Sequence, residues 1–183
     1  MSTLDDLRYP IGRMPVLEGP STPEQRATWI SSIETLPPRL RAAVDGLTPE
    51  QWQTPYRPGG WTVLQLVHHL PDSHLNAYTR LKLALTEDEP TIKPYDEAAW
   101  AELPDTHATP PDVSLTLLEA LHRRWVVLLR SLPEAAIART LRHPERGRIF
   151  TVEEMLAQYA WHSEHHLAHI TALRERAGWG MPT

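Results

Sequence analysis

The sequence of 183 residues contains no cysteine, which excludes disulfides and thiolate metal sites and suits a reducing compartment. It has no apolar run approaching the roughly 20 residues needed to cross a bilayer, so no membrane partner is expected. Cationic residues are also short: 18 Lys and Arg face 23 Asp and Glu, a formal net charge of −5. Without a basic footprint, no nucleic-acid partner is expected on electrostatic grounds. The first twelve residues carry Asp5, Asp6 and Arg8 and lack a signal peptide's apolar core, which makes cytoplasmic residence the default expectation.

What is present suits a single domain over 1–183, with an ordinary apolar share of 41%. Ten histidines set it apart, and histidine is the side chain suited to metal binding and proton transfer near neutral pH.

The opening residues, through Pro10, Pro15 and Pro20, read as an extended arm lying on the body. Four capping-box starts follow, at Thr22 to Gln25, Thr48 to Gln51, Thr62 to Gln65 and Thr151 to Glu154. They predict a helix from Thr22 to about Val44, bent at Pro37 and Pro38, and a short turn after Thr48. They also predict long helices over Thr62–Leu85 and over Thr151–Ala177, the last stopped by Gly178. A further helix, about Asp112 to Leu132, shows apolar spacing at Leu117, Leu118, Leu121, Trp125 and Leu128. The loop Glu87–Pro111 is expected to hold one helical turn at Asp96–Trp100, and His143–Arg148 a hairpin-like turn. Four apolar stripes must cover one another, so the expected fold is an all-α four-helix bundle with short connecting turns. The order in which the helices neighbour each other is left open.

Histidine chemistry concentrates in two places. The segment from Trp161 to His169 holds two interleaved pairs, His162/His166 and His165/His169. Two histidines four residues apart lie about 40° apart around a helix, so either pair has the spacing to hold one ion. Helical phase separates them. His166 falls roughly 30° and His162 roughly 70° from the centre of the stripe formed by Met155, Leu156, Tyr159 and Leu167. His169 at roughly 90° and His165 at roughly 130° are expected toward solvent. A third ligand should come from the cluster of His68, His69 and His74, where phase slightly favours His74.

The same residues resemble the DinB superfamily, and within it the YfiT-like branch. The likeness runs through Tyr9–Gly12, Pro55–Val63, His68-His69, Asp72–His74, Leu81–Thr86, Pro94–Glu97, Trp161–Ser163 and His165-His166. It implies a four-helix bundle, a homodimer, and one divalent transition ion per chain, zinc or nickel, on three histidines. The matching positions are His69, His162 and His166. Pro71, two residues beyond His69, departs from the pattern.

Three imidazoles with open positions describe a catalytic metal, able to acidify a bound water or thiol or to polarise a carbonyl. The resemblance implies either a metal-dependent hydrolase or an S-transferase using a low-molecular-weight thiol such as bacillithiol on a small-molecule substrate. S-transfer is favoured, because no second metal or nucleophile triad is evident. Asp72, three residues after His69, is a candidate base or hydrogen-bond acceptor beside the metal. Gln158 is a further candidate near the ion, and Arg57, Arg80 and Lys82 are candidates to grip a substrate carboxylate. A non-enzymatic metal-binding module and a metal-free helical dimer stay open as alternatives.

Overall fold

The computed structural model describes residues 3–180. Its elements in chain order are α1 (Leu4–Arg8), α2 (Pro23–Val44), α3 (Pro49–Trp52), α4 (Val63–Thr86), α5 (Glu97–Trp100) and α6 (Pro104–Ala108). Then come α7 (Pro111–Arg130), α8 (Glu134–Ile137), the strands β1 (Thr140–His143) and β2 (Arg148–Thr151), and α9 (Val152–Ala177). The fold is a four-helix bundle of α2, α4, α7 and α9, dressed with short helices and one small antiparallel ribbon. Among the described residues no helix is long and apolar enough to cross a membrane.

All four capping boxes form. In each, the threonine hydroxyl accepts from the backbone N–H three residues on, and that residue's side chain accepts from the threonine N–H. Each pair satisfies two donors that a helix start otherwise leaves orphaned. Gly178 ends α9 at φ 68°, a left-handed cap where a side chain would be strained.

Three details differ from expectation. The N-terminal arm is not wholly extended, because Thr3 and Asp6 make a fifth capping box that winds α1. The connection between Glu87 and Pro111 carries a second short helix, α6, opened by Pro104. The turn at His143–Arg148 closes a ribbon of four paired residues, Thr140 with Thr151 through His143 with Arg148. β2 runs straight into α9, so the ribbon sets the start of the helix that carries the richest histidine segment.

Proline leaves α2 and α4 continuous as helices but removes hydrogen bonds from them. Pro37 and Pro38 sit inside α2, and Pro71 inside α4. Each lacks an N–H, so the carbonyl four residues earlier (Ile33, Glu34 or Val67) loses its helical donor.

α2 packs against α9 and α7, and α4 packs against α7 and α9. Around the bundle the order is therefore α2, α9, α4, α7. Chain neighbours α2 and α4 stand diagonally, as do α7 and α9, while α4 and α7 are adjacent. The core divides into two apolar clusters. One contains Ile33, Leu81, Trp125 and Leu156, and the other Leu40, Leu66, Leu118 and Ile170. Each such side chain contributes about 1.5–3 kcal/mol on burial. Between the clusters, the bundle helices contribute a layer of histidines: His74 lies between Leu70 and Ala77, His122 between Leu118 and Trp125, and His162 and His166 between Tyr159 and Ile170.

Candidate metal centre

α4 supplies His69 and α9 supplies His162 and His166. The Nε2 of His162 lies 3.3 Å from that of His69 and 3.1 Å from that of His166. One ligand atom from each residue falls within 4.8 Å of the other two. The facing helices α4 and α9 thus close a three-nitrogen cluster that neither could form alone.

The environment holds these rings neutral. Burial pushes His69 down to about 4 and holds His162 and His166 well below the usual imidazole range, with the neighbouring histidines adding to the effect on the latter two. A neutral imidazole has a lone pair to give, whereas a protonated one has none. Three converging neutral nitrogens with no carboxylate among them fit one borderline transition ion such as zinc or nickel.

Behind the cluster stand further histidines. His74 and His122 are 0% and 1% exposed, and their rings stack 4.9 Å apart. His74 therefore backs His162 from within the core, although helical phase slightly favoured it as a ligand. His165 and His169, expected toward solvent, are buried instead, at 7% and 3% exposure. Covering groups explain the difference, two of the three from distant parts of the chain. Tyr56 stacks on His169 at 4.0 Å, Trp161 stacks on His165 at 4.3 Å, and Tyr9 lies 6.0 Å from His165. The arm is held there as Trp161 Nε1 donates to the Gly12 carbonyl.

Asp72 is not where the sequence suggested. It lies outside the cavity over the three histidines and makes no hydrogen bond to His69. Three residues along a helix is about 300° of rotation, or about 60° the other way, which sets Asp72 on the side of His69 toward Asp105, whereas Ser73, at about 40°, falls on the opposite side. It is half-buried, and burial together with Asp105 of α6 raises it to about 6. The next residue, Ser73, lines the cavity in its place.

The cavity has a volume of about 660 Å³ and is floored by His69, His162 and His166. Trp61, Tyr95, Gln158 and Tyr159 form part of its wall. Burial drives Tyr95 up to about 12 and also raises Tyr159, so both phenols keep their protons. Four arginines, Arg8, Arg57, Arg80 and Arg146, reach the lining, against two glutamates, Glu97 and Glu145. The mouth is thus cationic on a protein of net charge −5. Arg57 and Arg80 each keep a buried Nε without a partner. Lys82 does not reach the cavity.

The sequence profile of the DinB superfamily matches residues 32–170. The chain belongs to the DinB superfamily. A Bacillus cereus relative named "Putative metal-dependent hydrolase" is 53% identical over 176 residues, 96% of this chain and all of its own length. Bacillus subtilis YfiT, which bears the same description, is 51% identical over 174 residues, spanning 95% of this chain and 97% of the relative. The solved structure of YfiT, described as having an unusual four-helix bundle topology, superposes with a TM-score of 0.92 at 50% identity. It covers 96% of this chain and 99% of its own. The diagonal placement of consecutive helices is what departs from an up-down bundle here.

Sequence reasoning passed over His122 entirely, though its signal was present. It lies four residues after Leu118 and three before Trp125, on the buried stripe of α7.

Proposed function

We propose that this chain is a metal-dependent enzyme that uses His69, His162 and His166 to hold one zinc or nickel ion and transfers a low-molecular-weight thiol to an electrophilic small molecule. The observation carrying this reading is the cluster of three neutral imidazoles, free of carboxylates, at the floor of an arginine-lined cavity. An ion bound there would keep open positions and make a coordinated thiol or water far more acidic.

The chain's own residues supply the rest. Arg57 and Arg80 line the cavity and bring guanidinium charge to it, which suits the carboxylates of an acidic thiol such as bacillithiol. Trp61 and Tyr95 narrow the space where the electrophile would sit. In the transfer itself, the thiol loses its proton to solvent and the sulfur forms a bond to carbon. The leaving group departs with the electron pair of the broken bond.

Hydrolysis is the second reading, supported by the names of the relatives. It asks the ion to acidify water, whose pKa starts at about 15.7, whereas that of a thiol starts at about 8.5. S-transfer asks less of the protein.

Elemental analysis of the purified protein tests the centre. About one ion per chain, lost in both His69→Ala and His166→Ala, is expected. Retention of the ion by both variants would overturn it. Zinc- or nickel-loaded protein, given an alkyl halide with bacillithiol and, separately, an ester in water, then distinguishes the two chemistries by mass spectrometry of the products.

A further inference from the structure

The outward nitrogens of the two α9 ligands lead away from the cavity along chains of hydrogen bonds. Nδ1 of His162 lies 3.0 Å from Nε2 of His74. Nδ1 of His74 lies 2.8 Å from Nε2 of His122, and Nδ1 of His122 lies 2.6 Å from the backbone carbonyl of Ile33. That carbonyl is available because Pro37, four residues on, has no N–H to give it.

A carbonyl only accepts, so proton positions follow from that end. His122 must carry its proton on Nδ1, which leaves its Nε2 as a lone pair. His74 must then carry its proton on Nδ1 and accept on Nε2. His162 in turn carries its proton on Nδ1. Its Nε2 is left bare, and this is the nitrogen that meets His69 and His166.

A second, shorter chain does the same for His166. Its Nδ1 lies 3.4 Å from Nδ1 of His169, whose Nε2 lies 3.2 Å from the Arg8 carbonyl. His169 donates to that carbonyl from Nε2 and accepts on Nδ1, so His166 holds its proton on Nδ1 and bares Nε2. His165, His166 and His169 also form a three-nitrogen cluster within 4.8 Å. The Arg8 carbonyl assigns them otherwise: His166 donates its Nδ1 proton to His169, so that nitrogen has no lone pair for a second ion while its Nε2 faces the first.

We propose that His74 and His122, anchored on the Ile33 carbonyl that Pro37 leaves free, and His169, anchored on Arg8, are positioning residues that fix the tautomers of His162 and His166 so that both present a bare Nε2 to one metal ion. This inference rests on the three-histidine metal reading above. Outer hydrogen bonds of this type orient a ligand ring and raise its basicity.

Long-range proton–nitrogen correlation spectra of the full chain with ¹⁵N-labelled histidine, free of metal, read the tautomers directly. Expected are Nδ1–H forms for His122, His74, His162 and His166, and an Nε2–H form for His169. An Nε2–H form at His74, His122 or His162 would overturn the proposal. In zinc competition titrations, His122→Phe should weaken binding roughly 10–100-fold. His122→Gln, whose amide both donates and accepts, should recover most of that loss. Wild-type affinity in a folded His122→Phe, or two ions per wild-type chain, would also overturn it. If His122→Phe does not fold, the wild-type spectra and His122→Gln still decide. The expected tautomers in a wild-type chain that binds no zinc would overturn the metal reading itself, so the two failures are distinguishable.

Discussion

Tyr56 lies flat on His169, with ring centroids 4.0 Å apart and an interplanar angle of 25°. The loop before α4, closed by backbone bonds between Tyr56 and Trp61 and between Val63 and Thr54, therefore bears directly on the histidine that supports His166. Tyr56 is 7% exposed. Tyr56→Ala should lose about 3 kcal/mol of stability, in the range for removing a buried aromatic, and should weaken metal binding as well. Tyr56→Phe keeps the stack and should leave both unchanged. Denaturant titration beside a metal competition assay checks the pair, and equal metal affinity in all three proteins would show that the stack is packing alone.

Acid should destabilise the metal-free protein well before it reaches the carboxylates. His69 and His122 are pushed down to about 4 by burial, and His74, His162 and His166 lie well below 6.5. Their folded values are depressed, so between about pH 6.5 and 4 the unfolded chain binds protons that the folded chain refuses. Stability is then full above pH 6.5 and falls as pH drops, by about 1.4 kcal/mol per pH unit for each ring kept neutral. Zinc held by the neutral folded site would move the loss to lower pH. Unfolding midpoints at pH 7.5, 6 and 5, with and without zinc, measure this; pH-independent midpoints would contradict it.

The cationic lining makes a separate prediction. Arg57→Ala and Arg80→Ala should each reduce kcat/KM for a carboxylate-bearing thiol roughly 10–100-fold, the worth of a charge-assisted hydrogen bond. The metal content of both variants should stay at the wild-type level, because neither arginine touches the three histidines. Equal rates with charged and uncharged thiols would remove these arginines from substrate binding.

Far from the cavity, Arg174 provides a contrast. It is 6% exposed, and its Nη1 donates to the carbonyls of Ala43 and Asp45 at the end of α2. Arg174→Met leaves those acceptors unsatisfied and should lower stability by about 3 kcal/mol. Metal stoichiometry should not change. Calorimetry and elemental analysis of the same preparation separate the two effects.

Local order was largely legible in the residues. Each Thr-x-x-Gln or Thr-x-x-Glu box opens the element it announced, and Gly178 closes α9, because capping is a contest among neighbours along the chain. Phase likewise chose the α9 pair that meets His69. What it missed depends on groups remote in sequence. His165 and His169 read as exposed because a helical wheel holds no Tyr9 or Tyr56 to cover them. The diagonal order of α2 and α4 follows from how whole faces pair, and Asp72 falls on the side of His69 toward Asp105 of α6, a neighbour that spacing along α4 does not reveal. Pro37 read as a bend and proved to be a vacancy in the helix ladder that a histidine fills.

The Arg8 and Ile33 carbonyls and His69 leave the ribosome before His162, His166 and His169 do. A chain still being synthesised therefore holds the anchors and His69 without the segment that completes the cluster. Chains stalled before α9 should therefore carry no tightly bound zinc.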